Sequence, residues 1–178
     1  MISGALFSRK IRGMFRNSSK GKFENVSASI GAAFQKPMVA RGAAYADFDH
    51  DGDLDMLVTT NNGPAFLFRN DGGNQNNWLS IRTVGEKSNR DGIGAVVRIE
   101  SASGKQWNMV RSGSSYCSQS DLALTFGLGH DKMVGSVEIE WPSGAKQKLS
   151  NLEAKQGIVV QEGKGIISQW KPAAAGSK

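Results

Sequence analysis

Between Asp47 and Asp55 the chain reads DFDHDGDLD, with an aspartate at every second position. These five carboxylates come from sixteen acidic residues in a chain of formal net charge +6, so acid is concentrated where its self-repulsion is greatest. Crowded carboxylates lift one another's pKa unless a cation offsets them. Wrapped around a point, Asp47, Asp49 and Asp51 converge as the first, third and fifth positions of the loop. Gly52 at the sixth permits a sharp turn. Asp53 at the seventh turns its backbone carbonyl inward, and Asp55 at the ninth adds a carboxylate. The result is an all-oxygen, hard-ligand cage suited to Ca²⁺, which takes ~6–8 oxygens. His50 lies between two ligand positions and is expected to face solvent. A helix–loop–helix calcium site requires a bidentate Glu at the twelfth position. Val58 stands there, in the apolar run MLVTT. The flanks AAYA and MLV read as strands, so the expected site is a strand–loop–strand clasp with structural Ca²⁺.

Other chemistries find less support. SGSSYCSQSD is rich in nucleophile types, but Tyr116 and Cys117 stand where a nucleophile elbow needs glycine. A Cys117–His130 dyad has no third group to orient it. The segment reads instead as a polar turn network tying VRSG to LALTF; the functional alternative is a loop presenting Arg111, Tyr116, Gln119 and Asp121 to a ligand. GIVVQEGK fails the spacing of a phosphate-binding loop, and DGIGAV and FGLGHD lack the third glycine of a dinucleotide fingerprint. They read as bulges or turns. No catalytic residue and no organic cofactor site is expected.

The elements that must position the acidic loop are short strands. Twenty-two glycines, eight Phe and four Trp among 178 residues suggest strands and tight turns. WLSIRTV alternates imperfectly. GAVVRIES sets Val97 and Ile99 against Arg98 and Glu100, and SVEIEW sets Val137, Ile139 and Trp141 against Glu138 and Glu140. This period predicts half-buried antiparallel strands. SGK, GLGHDK, PSG and EGKG supply turns, and SNLEAKQG could give one helical turn. No apolar run approaches the ~20 residues of a membrane span. The single cysteine excludes an intrachain disulfide. The basic excess is dispersed without a recognition motif, so no nucleic-acid function is expected.

The first 23 residues hold six bases and no acid. Phe7, Ile11 and Phe15 recur at helical spacing, which fits a transit peptide, a basic membrane-surface helix, or part of a fold that begins upstream. An internal repeat favours the last: MFRNSSKGKF at 14–23 and LFRNDGGNQNNW at 67–78 share a frame, as propeller blades do. Each frame reads as a strand ending near Arg16–Asn17 or Arg69–Asn70. The sequons at Asn17 and Asn25 matter only in a glycosylating host.

YADFDHDGDLDMLVTTNNGPAFLFRN resembles an FG-GAP (VCBS-type) repeat of the integrin-style β-propeller, and MFRNSSKGKFENVS resembles the end of a preceding repeat. NNWLSIRTVG, SNRDGIGAVVRI, VRSGSSYCSQSDLALTFGLG and VEIEWPSG, in that order, resemble the ASPIC and UnbV domain of the cartilage acidic protein-like family. The resemblance implies an all-β chain: FG-GAP blade segments over 1–75 with the calcium loop, an antiparallel β-sandwich-like domain over 76–163, and a flexible tail over 164–178. It implies a secreted or periplasmic, non-enzymatic binding or scaffolding module. Its expected partners are upstream propeller blades, a protein or carbohydrate ligand, and further copies of itself through 1–72. The alternative is an enzyme or accessory factor in secondary metabolism. No signal peptide is present, a departure that points to a shortened chain or a short form.

Overall fold

The computed structural model describes residues 13–18 and 21–172. Phe7 and Ile11 lie outside them, while Phe15 opens a strand. The strands are β1 (Phe15–Asn17), β2 (Phe23–Asn25), β3 (Ala40–Ala46), β4 (Asp55–Thr60), β5 (Phe66–Phe68), β6 (Asn77–Val84) and β7 (Val96–Ser101). They continue with β8 (Gly104–Met109), β9 (Leu124–Gly129), β10 (Met133–Glu140), β11 (Lys146–Glu153), β12 (Gln156–Gln161) and β13 (Gly165–Trp170). The fold is all-β, as expected. Among the described residues no helix is long and apolar enough to cross a membrane.

Two four-stranded sheets, β11-β10-β7-β8 and β13-β12-β6-β9, share one apolar cluster in a sandwich-like arrangement without a closed barrel. Val97, Ile99, Val137 and Ile139 enter it from the first sheet, and Leu79, Ile81, Phe126, Ile158 and Val160 from the second. The period-two pattern is realised: Arg98, Glu100 and Glu138 point outward between these buried neighbours. Side chains close the open ends. Gln106 donates to the Gly127 carbonyl at 2.7 Å, joining β8 to β9, and Gln147 donates to the Gln161 carbonyl at 3.3 Å, joining β11 to β12. The WPSG stretch is the β10–β11 hairpin, with Trp141 buried and its indole N–H on Gln147.

Three expectations are corrected. β6 and β12 pair in parallel, the exception in a sandwich otherwise built from antiparallel pairs. SNLEAKQG forms no helical turn; it ends β11, turns at Lys155 in the left-handed region, and starts β12. There the Lys155 N–H reaches the Trp78 carbonyl at 2.7 Å, a bond that a helix would forgo. The flexible tail expected from residue 164 begins instead with a strand. The EGKG turn returns the chain as β13 along β12, where Trp170 can lie on the sheet; residues 173–178 lie outside the described ones.

FGLGHD sits at a bulge, where the β6–β9 register shifts between Asn77 and Trp78. β3, β4 and β5 form a separate antiparallel three-stranded sheet, and β1 and β2 a hairpin. The two matching frames both end where expected. β1 stops at Asn17 and β5 at Phe68, and the Asn70 side chain accepts the Gly72 N–H at 3.3 Å.

A buried carboxylate ties the sandwich loops together. Glu162, 4% exposed, accepts the N–H groups of Glu86, Lys87 and Ser88 at 2.8, 2.9 and 2.8 Å on one oxygen. Its other oxygen accepts the hydroxyls of Ser88 and Ser143. Burial alone would raise its pKa. The hydrogen bonds from Ser143 and from the backbone of Ser88, Glu86 and Lys87 outweigh burial and draw it down to about 2. Because the folded-state value is depressed from 4.5, this contribution to stability is present above pH 4.5 and is lost as pH falls toward 2. Glu162→Gln should therefore lower the melting temperature at neutral pH and flatten the acid limb of the stability profile in that window. Thermal melts of both proteins from pH 2 to 7 check this; equal melting temperatures at pH 7 would refute it.

Candidate metal centre

The acidic loop is the connection between β3 and β4, which pair antiparallel with Ala46 opposite Asp55. Its own backbone is organised by its carboxylates. Asp47 accepts the N–H groups of Asp51 and Gly52, both at 3.1 Å, and Asp51 accepts that of Asp53 at 3.1 Å. Asp55, 2% exposed, accepts the Phe48 N–H at 3.2 Å on one oxygen and the Asn70 N–H at 2.8 Å on the other. The loop thus curls so that Asp47, Asp49 and Asp55 each offer an oxygen, all within 4.8 Å of one another.

Asp51 and Asp53 stand outside that convergence. Asp51 spends one oxygen on the Asp53 N–H. Asp53, 4% exposed, turns its carboxylate to the Gly73 N–H at 3.0 Å. Its expected contribution was its carbonyl, so this orientation leaves that role open to it. His50 is exposed, as expected, and adopts φ 57°, while Gly52 makes the sharp turn at φ 99°. The expected ligand set and the geometry therefore coincide at three carboxylates.

The donor set fits a hard cation. Asp49 Oδ1 and Asp53 Oδ1 are buried with no hydrogen-bond partner among the described residues. Buried anionic oxygens without partners are costly. Electrostatics carries the same message: burial and then the neighbouring Asp51 charge push Asp53 up to about 6. Burial also raises Asp47, against the hydrogen bonds from Gly52 and Asp51. Asp47, Asp49 and Asp55 would hold a divalent cation, whose bound charge would neutralise this cluster.

Sequence reasoning missed the groups that frame the loop from outside. The turn after β5 supplies the Asn70 and Gly73 N–H groups, and the Asn74 side chain donates to the Asp51 carbonyl at 3.2 Å. The RND-G-G-N run had signalled only a polar turn. The other missed group is aromatic. A Cβ on Gly52 would stand 2.1 Å from the Trp78 indole, so the loop backbone packs directly against that ring. Trp78 packs on Trp170 with ring centroids 5.4 Å apart, and Trp170 meets His50 at 5.1 Å. Gly157 makes room in turn, since a Cβ there would strike the Trp170 ring at 2.1 Å.

The serine-rich segment, rich in nucleophile types, covers an edge. Gln119 and Gly113 close it internally, and the Ser114 and Ser120 hydroxyls meet at 3.2 Å, so the polar turn network is present. It also pairs with β3: the hydroxyls of Ser115 and Ser120 accept the Ala43 and Tyr45 N–H groups at 3.3 Å each, and the Asp121 N–H donates to the Tyr45 carbonyl at 2.9 Å. Hydrogen-bonding groups on the outer edge of β3 are thus satisfied.

Gly52→Ala tests the aromatic seat. Its left-handed φ and the absent space predict a loss of more than ~1 kcal/mol, with a change in tryptophan emission as the loop lifts from Trp78. Denaturant unfolding followed by fluorescence reads both; an unchanged midpoint would remove the seat from the account.

Residues 85–167 match the family described as ASPIC and UnbV. The match begins after β6, although β6 lies between β12 and β9 in the folded sheet. The chain is 33% identical over 129 residues to cartilage acidic protein 1 of Mus musculus, across 67% of this chain and 19% of that protein. It is 33% identical over 112 residues to the Homo sapiens protein and 35% identical over 109 residues to the Xenopus tropicalis protein of that name. Those two alignments each cover 58% of this chain and 16% of the relative. The chain spans about a fifth or less of the length of these relatives.

Proposed function

We propose that this chain, with its ASPIC and UnbV segment, is a non-enzymatic, extracellular interaction or scaffolding module in which Ca²⁺ has a structural role. The observation that carries the reading is the convergence of Asp47, Asp49 and Asp55, together with the buried, unpartnered Oδ1 of Asp49. In this reading Asp51 and the Asp53 carbonyl complete the ligand set. The β3-β4-β5 meander, with the acidic loop between its first two strands, fits the order of an FG-GAP blade. The raised carboxylates belong to the acidic loop, and the lowered Glu162 is engaged by backbone amides, so neither favours an enzymatic reading.

A cation that binds the native loop and not the unfolded chain stabilises the fold by mass action, about 2.7 kcal/mol at 100 times its dissociation constant. Calorimetric scans with Ca²⁺ and with chelator should differ accordingly, and Asp47→Ala or Asp49→Asn should abolish the difference. A wild-type melting temperature indifferent to Ca²⁺ would end this reading.

The meander also leaves an apolar surface. Leu57 and Leu67 are directly paired across β4 and β5 and are 42% and 54% exposed. Among the described residues β5 pairs with β4 alone, and in the hairpin Phe15 and Phe23 are 59% and 68% exposed. Open strand edges and exposed apolar rows of this kind drive self-association. The chain should therefore associate in light scattering, and Leu57→Lys combined with Leu67→Lys should return it to monomer. A monodisperse monomeric wild type would refute the prediction.

A further inference from the structure

The sandwich carries Trp78 and Trp170 on one sheet, beneath the acidic loop; on its other sheet Arg98, Glu100, Lys105, Trp107, Glu138 and Lys148 are exposed among the described residues. Across β11, β10, β7 and β8 the register sets Lys148, Glu138, Arg98 and Trp107 in one row, with Ser150, Ser136, Glu100 and Lys105 in the next. Trp107 is 66% exposed, more than any other tryptophan described. Its indole N–H has no hydrogen-bond partner among the described residues. A shallow groove of about 340 Å³ runs beside it, lined among others by Arg98, Glu100, Lys105, Trp107, Ser136 and Glu138. That volume lies within the ~300–1,000 Å³ range of small-ligand sites.

The charges around the ring decide which ligand suits it. Arg98 is paired with Glu140 at 3.1 Å, Lys105 with Glu100 at 3.6 Å and Lys148 with Glu138 at 3.4 Å. The chain as a whole is basic, yet on this face three acids pair with three bases, and Lys146, opposite Glu140, is the one further base beside them. The face therefore offers little net attraction to a polyanion, while its charged groups keep directional donors and acceptors toward solvent. A flat apolar ring surrounded by such groups matches a ligand with an apolar face and hydroxyl edges. From this we propose that the Trp107 face is a binding site for a neutral oligosaccharide. A sugar ring stacks its C–H face on the indole, and its hydroxyls bond to Arg98, Glu100, Lys105 and Glu138. The proposal rests on reading the chain as an interaction module and gives that module a ligand class, at a site separate from the acidic loop.

The test is affinity electrophoresis of the full chain in gels containing laminarin, xylan or hydroxyethyl cellulose, with heparin and single-stranded DNA as polyanion controls. At least one neutral glycan should retard the protein. Trp107→Ala should weaken that retardation roughly tenfold or more, the loss expected for a stacking contact. Trp107→Phe should retain part of it. The exposed position should leave the melting temperature of Trp107→Ala unchanged, separating lost binding from lost folding. Chelator should leave glycan binding in place, so a failed Ca²⁺ experiment and a failed glycan experiment are distinguishable. The proposal is overturned if no neutral glycan retards the protein, if Trp107→Ala binds as well as wild type, or if Trp107 matters only for heparin, DNA or self-association.

Discussion

The contact between the Gly52 backbone and the Trp78 indole is the constraint on which the rest of the arrangement turns. It sets the most highly charged segment of the chain against one of its largest apolar side chains. Two forces oppose each other in that loop: the aspartates repel, and the backbone N–H groups of Asp51, Gly52, Asp53, Phe48 and Asn70 hold their oxygens in place. Only a backbone without a Cβ can curl at φ 99° and lie on a ring at the same point. The loop is consequently shaped from both sides, by hydrogen bonds within and an aromatic floor beneath. A cation there would relieve the one opposing term that the protein itself leaves uncompensated.

That floor explains why β6 does not read as an ordinary half-buried strand. Leu79 and Ile81 face the core, while Trp78 and Ser80 on its other face are also buried, Trp78 beneath the loop and Trp170. A strand covered on both faces loses its polar alternation, and parallel pairing with β12 is typical of such buried strands. The connection that parallel pairing requires is long. Glu162, just after β12, fastens it to residues 86–88, just after β6, so the two parallel neighbours are tied at the same end. The serine-rich segment closes the assembly by covering β3, joining meander to sandwich through backbone hydrogen bonds as well as ring contacts.

How much of this was legible follows from the kind of signal each feature leaves. Val97, Ile99, Val137, Ile139 and Trp141 were readable because a single buried face imposes period two. The acidic spacing was readable because alternate side chains of a curling loop turn toward one side, and Asp47, Asp49 and Asp55 do converge. β13 was overlooked because Ile166 and Ile167 carry no clear alternation on an edge strand, and its anchor is a ring laid over Gly157. The seat under Gly52 was invisible, since Trp78 and Trp170 lie far apart in sequence and nothing local records that they meet. The role of Glu162 was hidden for a similar reason: its partners are backbone N–H groups, which every residue but proline possesses.

The charge distribution completes the physical picture. The negative charge of the loop is gathered over the sheet that carries Trp78, whereas the outward face of the opposite sheet pairs base with acid across its strands. Cross-strand pairs of exposed residues contribute little to stability individually, typically ~0.2–1 kcal/mol. Their effect on the local field is larger than their energy suggests, because each pair offsets part of the positive charge that the basic chain would otherwise present there. The two sides of the sandwich thus differ in kind: one loop gathers like charge above a pair of stacked indoles, and the other face spreads opposite charges around an exposed ring.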